Sequence, residues 1–236
     1  LLAQVRCIVS RQCTPLTPTT MMVFLRDGAN EAVCRDLVRT TFGLATPVTT
    51  FVAQPPCCGA ELGIELWALG GPDVKVERFG PDVMAVESDG IRWVYCGGLR
   101  GGPGPDGPCA ESTRTFQHMR EQLALAGADF GQVVRTWIYI NQITEGPEGG
   151  QRYQELNRAR TEFYQGLRFG TETRAPWIEG PLYPASTGIG TQGSHMTLCG
   201  MAMTSPRSDV FIVPLESPLQ TAAYHYHAAY SPQSPK

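Results

Sequence analysis

One order of elements occurs twice in this sequence, and that limits the folds open to it more than any other feature. Residues 21–69 read as strand, helix, strand, strand, and residues 136–216 read the same way. The first copy opens with Met22-Val23-Phe24-Leu25 and stops at Asp27-Gly28. Val33, Leu37 and Val38 then recur at helical spacing until Gly43 closes the helix. Strands over 47–53 and 62–69 follow. The second copy opens with Trp137-Ile138-Tyr139-Ile140 and continues with a helix over 149–166. After Pro184 come apolar strands at 196–203 and 210–215, the last ending at Glu216. Only this copy has more before it: strands at 83–87 and 91–96 joined by Ser88-Asp89-Gly90, a hairpin signal, and a helix over 112–126 with Ser112 as its cap. The second copy is therefore a complete ββαβαββ unit and the first is half of one. The half unit has an open sheet edge that something must cover.

The expected organisation follows from this order. Residues 1–20 are irregular, because Pro15 and Pro18 interrupt a helix. Residues 21–71 are the half unit, with Gly70-Gly71-Pro72 as the boundary. Residues 72–220 are the complete unit, with a glycine- and proline-rich surface loop at 99–108. Residues 221–236 are a tail rich in His, Tyr and Pro. The chain begins without methionine and stops at Ser-Pro-Lys, which reads as a portion of something longer.

Three stretches carry candidate chemistry. Residues 183–195 hold Gly188, Gly190 and Gly193 together with the hydroxyls of Ser186, Thr187, Thr191 and Ser194. They form either a turn between strands or a loop that brings backbone and hydroxyls to a small polar ligand. Glu65 sits in the middle of an apolar strand, where a carboxylate either faces solvent or lines a cleft. Arg160 belongs to the inner stripe of its helix with Tyr153, Leu156 and Phe163. An arginine there either snorkels or meets an anion.

Composition removes several function classes. The formal net charge of −3 provides no broad basic field for nucleic acid. No apolar run reaches the length of a membrane span, and the first residues do not read as a secretory signal. The eight cysteines include no Cys-x-x-Cys pair, which argues against zinc and for reduced thiols in a cytoplasmic protein. His225 and His227 alternate with tyrosines in the tail but have no third ligand nearby in sequence, so no metal is expected.

The pattern of residues 82–216 resembles the YjgF/RidA family. The matching residues are the helix from Thr115 to Gly127, the run Val133-Val134-Arg135-Thr136-Trp137-Ile138-Tyr139, the helix from Tyr153 to Phe163, and Tyr183-Pro184-Ala185. The half unit resembles the family's second half at Val23-Phe24-Leu25-Arg26-Asp27 and Gly63-Ile64-Glu65-Leu66. The resemblance implies an α+β, chorismate-mutase-like fold with a sheet backed by two helices. It also implies a homo-oligomer, a trimer, with ligand clefts between neighbours. Deaminases of the family hold a carboxylate with an arginine two residues after the proline and use a glutamate on the last strand. Glu65 matches that glutamate. Thr49 and Ser186 stand where the arginine belongs, which disfavours an imine or enamine deaminase.

The chain is more similar to the chorismatase branch. It resembles that branch at Arg135-Thr136-Trp137, at Tyr153 with Arg160, at Ala185-Ser186-Thr187-Gly188-Ile189-Gly190, at Glu216-Ser217-Pro218 and at Tyr230-Ser231-Pro232. The resemblance implies a hydrolase or lyase acting on chorismate or a related cyclic carboxylate, a small anionic metabolite, without metal or organic cofactor. Glu65 or Glu216 would supply general acid catalysis. Arg135, Tyr153, Arg160, Ser186, Thr187, Gly188 and Gly190 would bind substrate. In that branch a further YjgF-like domain carries the catalytic glutamate, a role Glu65 could fill here. The alternative is a non-catalytic ligand-binding or assembly domain. The family's ribonuclease activity fits least with the acidic balance.

Overall fold

The computed structural model describes residues 1–102, 104, 106–146, 149–170, 172–215, 217–219 and 221. Two sheets organise the chain. The smaller holds β1 (Thr17–Leu25), β2 (Val48–Ala53) and β3 (Leu62–Leu69) in the order β2-β1-β3. Helix α2 (Glu31–Phe42) makes the crossover between the parallel strands β1 and β2, and β3 returns antiparallel to β1. The larger sheet has the order β4-β5-β6-β9-β7-β8. Its strands are β4 (Lys75–Arg78), β5 (Val83–Ser88), β6 (Ile91–Leu99), β7 (Val133–Asn141), β8 (Ala185–Thr191) and β9 (Thr197–Thr204). Helices α3 (Gly107–Leu125) and α4 (Arg152–Tyr164) lie between β6 and β8 in sequence.

The repeat is visible in the topology. β8 runs parallel to β7 and β9 antiparallel to it, so β8-β7-β9 reproduces β2-β1-β3. The expected hairpin is formed by β5 and β6, with Asp89 and Gly90 at φ 51 and 69 in its turn. This α+β arrangement is the expected one.

Several boundaries differ from the sequence reading. The glycine-rich stretch is a strand, β8, rather than a loop, and the expected strand at 196–203 is β9. Residues 210–215 form no strand, only an isolated bridge between Arg174 and Ile212. β9 already has β6 and β7 on its two edges, and Pro214 has no N–H for a ladder. Helix α3 starts at Gly107, so Ser112 is an interior residue whose hydroxyl donates to the Pro108 carbonyl at 2.8 Å. Residues 2–10, expected to be irregular, form α1 (Leu2–Ser10), which lies on the first unit with Leu2 packed against its core and Arg6 donating to the Thr41 carbonyl. Pro18 falls within β1 but before pairing with β2 begins at Thr20, where its missing N–H costs little. The tail from 222 onward, including His225 and His227, lies outside the described residues.

Strand alternation divides each sheet into two faces. Met21, Val23, Leu25 and Phe51 pack with Val38 of α2. Met22, Phe24 and Val52 point the other way and meet Trp137, Tyr139, Ile189 and Cys199 of the larger sheet. The far face of the larger sheet carries the main core, with Phe116, Met119, Leu123, Ile138, Leu156 and Leu198 packed under α3 and α4. The second unit covers the half unit's β2 edge. Gly98 N–H donates to Thr50 Oγ1 at 2.9 Å and Gln192 N–H to the Ala53 carbonyl at 3.0 Å. A β-carbon at Gly97 would stand 2.8 Å from both Thr50 Oγ1 and Val48 Cγ1, so only glycine allows this approach.

Candidate active site between the sheets

The two sheets enclose a cavity of about 120 Å³. Met22, Phe24, Glu65 and Trp67 line it from the first unit, and Tyr95, Trp137, Tyr139 and Cys199 from the second. Glu65 is opposite Met22 in register, so it shares the cavity-facing side of β1–β3, whereas Ile64 and Leu66 turn towards α2. It is the only charged side chain in the lining among the described residues. Its Oε1 accepts the Trp67 indole N–H at 2.8 Å. β3 is the outer strand of its sheet, and Glu65 remains open to solvent there.

The opposite wall is less polar. Burial pushes the Tyr139 hydroxyl above its ordinary range, with Cys199 and Glu65 adding to the effect and Arg135 opposing it. Tyr139 therefore stays protonated and points its hydroxyl at Met22 Sδ, 3.6 Å away. Burial likewise pushes the Cys199 thiol up to about 12. Arg135 precedes Trp137 and Tyr139 on the same face of β7. Its Cζ lies 4.9 Å from the Trp137 ring centroid, and Nη2 donates to Thr187 Oγ1 at 2.5 Å. Thr187 is directly opposite Trp137 in the β7–β8 register. Glu65, Arg135 and Thr187 thus share the inter-sheet side.

The remaining candidates lie on the other side of the larger sheet. Ser186 bonds Thr136 at 2.6 Å, and Gly188 faces the Tyr153 ring. Gly190 faces Ile143. Arg160 is buried on α4 and donates to Asn157 Oδ1 at 2.8 Å. Arg160 and Glu65, expected to act on one substrate, do not share a cavity: the six-stranded sheet stands between them. The reason is the period of two along β8, which sends Thr187 to one face and Ser186, Gly188 and Gly190 to the other. Glu216 lies outside the described residues. Sequence reasoning missed Trp137, Tyr139 and Cys199 as cavity walls. Their alternation in β7 and β9 was the available signal.

A second, more polar cavity of about 290 Å³ lies on the other side of Tyr139, which lines both. Glu31, Arg100, His195 and Thr197 contribute to it. Arg100 holds Glu31 at 2.8 Å and Thr197 Oγ1 at 3.0 Å. Burial opposes ionisation of Glu31, but contacts with Arg100 and Arg35 outweigh it and hold the carboxyl below its usual range. Among the described residues no group of three or more His, Cys, Asp or Glu side chains could hold a metal ion, and no helix is long and apolar enough to cross a membrane.

Residues 101–202 match the family model described as chorismatase FkbO/Hyg5-like, N-terminal. The matched segment runs from the loop after β6 into β9, just under half of the chain, and there the resemblance to the chorismatase branch is shown. A crystal structure of a chorismatase superposes with a TM-score of 0.51 at 19% identity, covering 92% of this chain and 56% of that one. This likeness shows a shared fold. The chain spans little more than half of that chorismatase's length. A Mycobacterium tuberculosis member of the YjgF/YER057c/UK114 family aligns at 19% identity and a TM-score of 0.35, covering 51% of this chain and 84% of its own. E. coli TdcF with bound serine aligns at 13% identity and a TM-score of 0.39, covering 55% and 92%. A comparison with curated protein sequences returns no match.

Proposed function

We propose that this protein is a cofactor-independent small-molecule enzyme of YjgF type. Its activity is that of a chorismatase-like hydrolase or lyase on chorismate or a related cyclic carboxylate. The observation that carries this reading is the position of Glu65, the one charged side chain among the described residues lining an otherwise aromatic and apolar cavity. Arg135 takes the anchoring role first assigned to Arg160, because it lies on the cavity's side of β7 and its guanidinium suits a carboxylate. In the hydrolytic version, Glu65 gives its proton to the methylene carbon of the enol ether. Water adds to the resulting oxocarbenium carbon and returns a proton to Glu65, and the hemiketal collapses to an alcohol and a 2-keto acid. The aromatic walls of Trp137, Tyr139 and Tyr95 accommodate the ring. The reading places the enzyme in the cytoplasm as a homo-oligomer, a trimer; eight unbridged cysteines and the outer edge of β8 support this.

The test is incubation of the purified chain with chorismate, followed by ultraviolet absorbance and product analysis. Turnover that disappears in Glu65→Gln supports the proposal. An unchanged substrate, with no ligand-induced rise in Tm, overturns it. A second reading, a non-catalytic ligand-binding domain, is favoured by the openness of Glu65 to solvent and its engagement with the Trp67 indole N–H. It expects chorismate to raise Tm without turnover, equally in Glu65→Gln.

A further inference from the structure

Arg160 is 7% exposed, and no carboxylate of the described residues pairs with it. Its Nη2 donates to the neutral amide of Asn157 at 2.8 Å, and its Nε has no partner. One helical turn later, on the same face of α4, Tyr164 is 8% exposed and its hydroxyl also has no partner. The Tyr164 ring is enclosed by Phe169 at 4.8 Å, Phe130 at 5.9 Å, Tyr183 at 6.1 Å and Phe116 at 6.3 Å. The nearby acids of α4 are not available: Glu155 is held by Arg158 at 2.6 Å, and Glu162 faces solvent.

A guanidinium keeps its charge in proteins, so Arg160 cannot escape burial by losing a proton. A buried charge without a counter-ion costs several kcal/mol, and each orphaned donor adds to the cost. Residues four apart on a helix are neighbours, and the Arg160 charge acts on the Tyr164 hydroxyl, so the two unpartnered donors belong to one buried region. We propose that Arg160 and Tyr164 bind a single monovalent halide, chloride under ordinary conditions, between α4 and the aromatic cluster. A monatomic anion fits better than an oxyanion. It accepts from two or three donors in any arrangement, whereas phosphate or sulfate needs donors that Phe116, Phe130 and Phe169 do not have. This site is independent of the inter-sheet cavity, so its test does not depend on the proposed activity.

The experiment is thermal unfolding of the full chain in sodium chloride against sodium gluconate at equal ionic strength. Above its dissociation constant, each tenfold increase in chloride should raise Tm by about 3–5 °C for a chain of this size, with no equivalent rise in gluconate. Tyr164→Phe keeps the ring and should weaken the apparent chloride affinity by at least about tenfold, the loss of one hydrogen bond to a charged group. Bromide soaked into crystals of the wild-type protein should give an anomalous peak between Arg160 Nε and Tyr164 Oη. Equal Tm in the two salts, or a water in place of the bromide peak, overturns the proposal.

Discussion

Arg100 and Glu31 form an ion pair at 2.8 Å that joins the residue following β6 of the second unit to the first turn of α2 in the first. Arg35 holds the other carboxylate oxygen of Glu31 at 2.7 Å. Because these arginines hold the Glu31 carboxyl below its ordinary range, folding favours the ionised form. The stabilisation is fully present above the unfolded value of about 4.3 and is lost as pH falls through the lower folded value. Tm measured against pH should therefore drop from about pH 5 downward, and Glu31→Gln should flatten that drop. Arg100→Met should cost about 1–3 kcal/mol at neutral pH in denaturant unfolding, since the pair is only partly exposed.

Glu65→Gln should lower turnover of chorismate by about 10²- to 10⁴-fold, the usual contribution of a general acid. Tm should stay within about 1 °C, because the side chain is solvent-open and its one contact, the Trp67 indole N–H, can still donate to an amide oxygen. Steady-state kinetics and a melting curve on the same preparation check both statements.

Arg135→Met should raise KM for the carboxylate substrate more than it lowers kcat, the pattern of lost ground-state binding. Its stacking on Trp137 and its bond to Thr187 tie its position to β8. Thr187→Val should consequently give a weaker change in the same direction.

Gly97→Ala should destabilise the fold by about 1–3 kcal/mol, because the new methyl meets Thr50 and Val48 at 2.8 Å. Gly193→Ala is the control: its nearest neighbour would be Ala53 Cβ at 3.6 Å, an ordinary contact. Denaturant midpoints of the two variants should separate clearly.

Cys96 and Cys199 are buried, and burial is the main cause that pushes both thiols up to about 12. Titration with a thiol reagent at pH 8 should modify the exposed Cys13, Cys57 and Cys58 rapidly. Cys96 and Cys199 should react only after unfolding.

The repeat was legible in the sequence because both copies keep the same order, down to the proline before β2 and β8. The hairpin at Asp89-Gly90 and the stripes of α3 and α4 were legible for local reasons, turn chemistry and helical period. The site was less so. Glycine and hydroxyl content made residues 183–195 look like a loop, yet Ala185–Thr191 pairs with β7 through backbone groups that composition does not reveal. The resemblance assigned Arg160 and Glu65 to one substrate site, one as carboxylate anchor and the other as acid. Only the three-dimensional order of layers shows that a sheet separates them. Residues 210–215 had strand composition, but the positions beside β9 were already taken, a non-local condition.

The close approach of Gly97 and Gly98 to β2 has a consequence for how the protein behaves at high concentration. An uncovered β2 would present a row of free backbone groups to any passing chain, the usual start of strand-to-strand aggregation. Here the second unit occupies that edge through Gly98 and Gln192. A fragment containing only the first unit would lose this protection and should be prone to self-association.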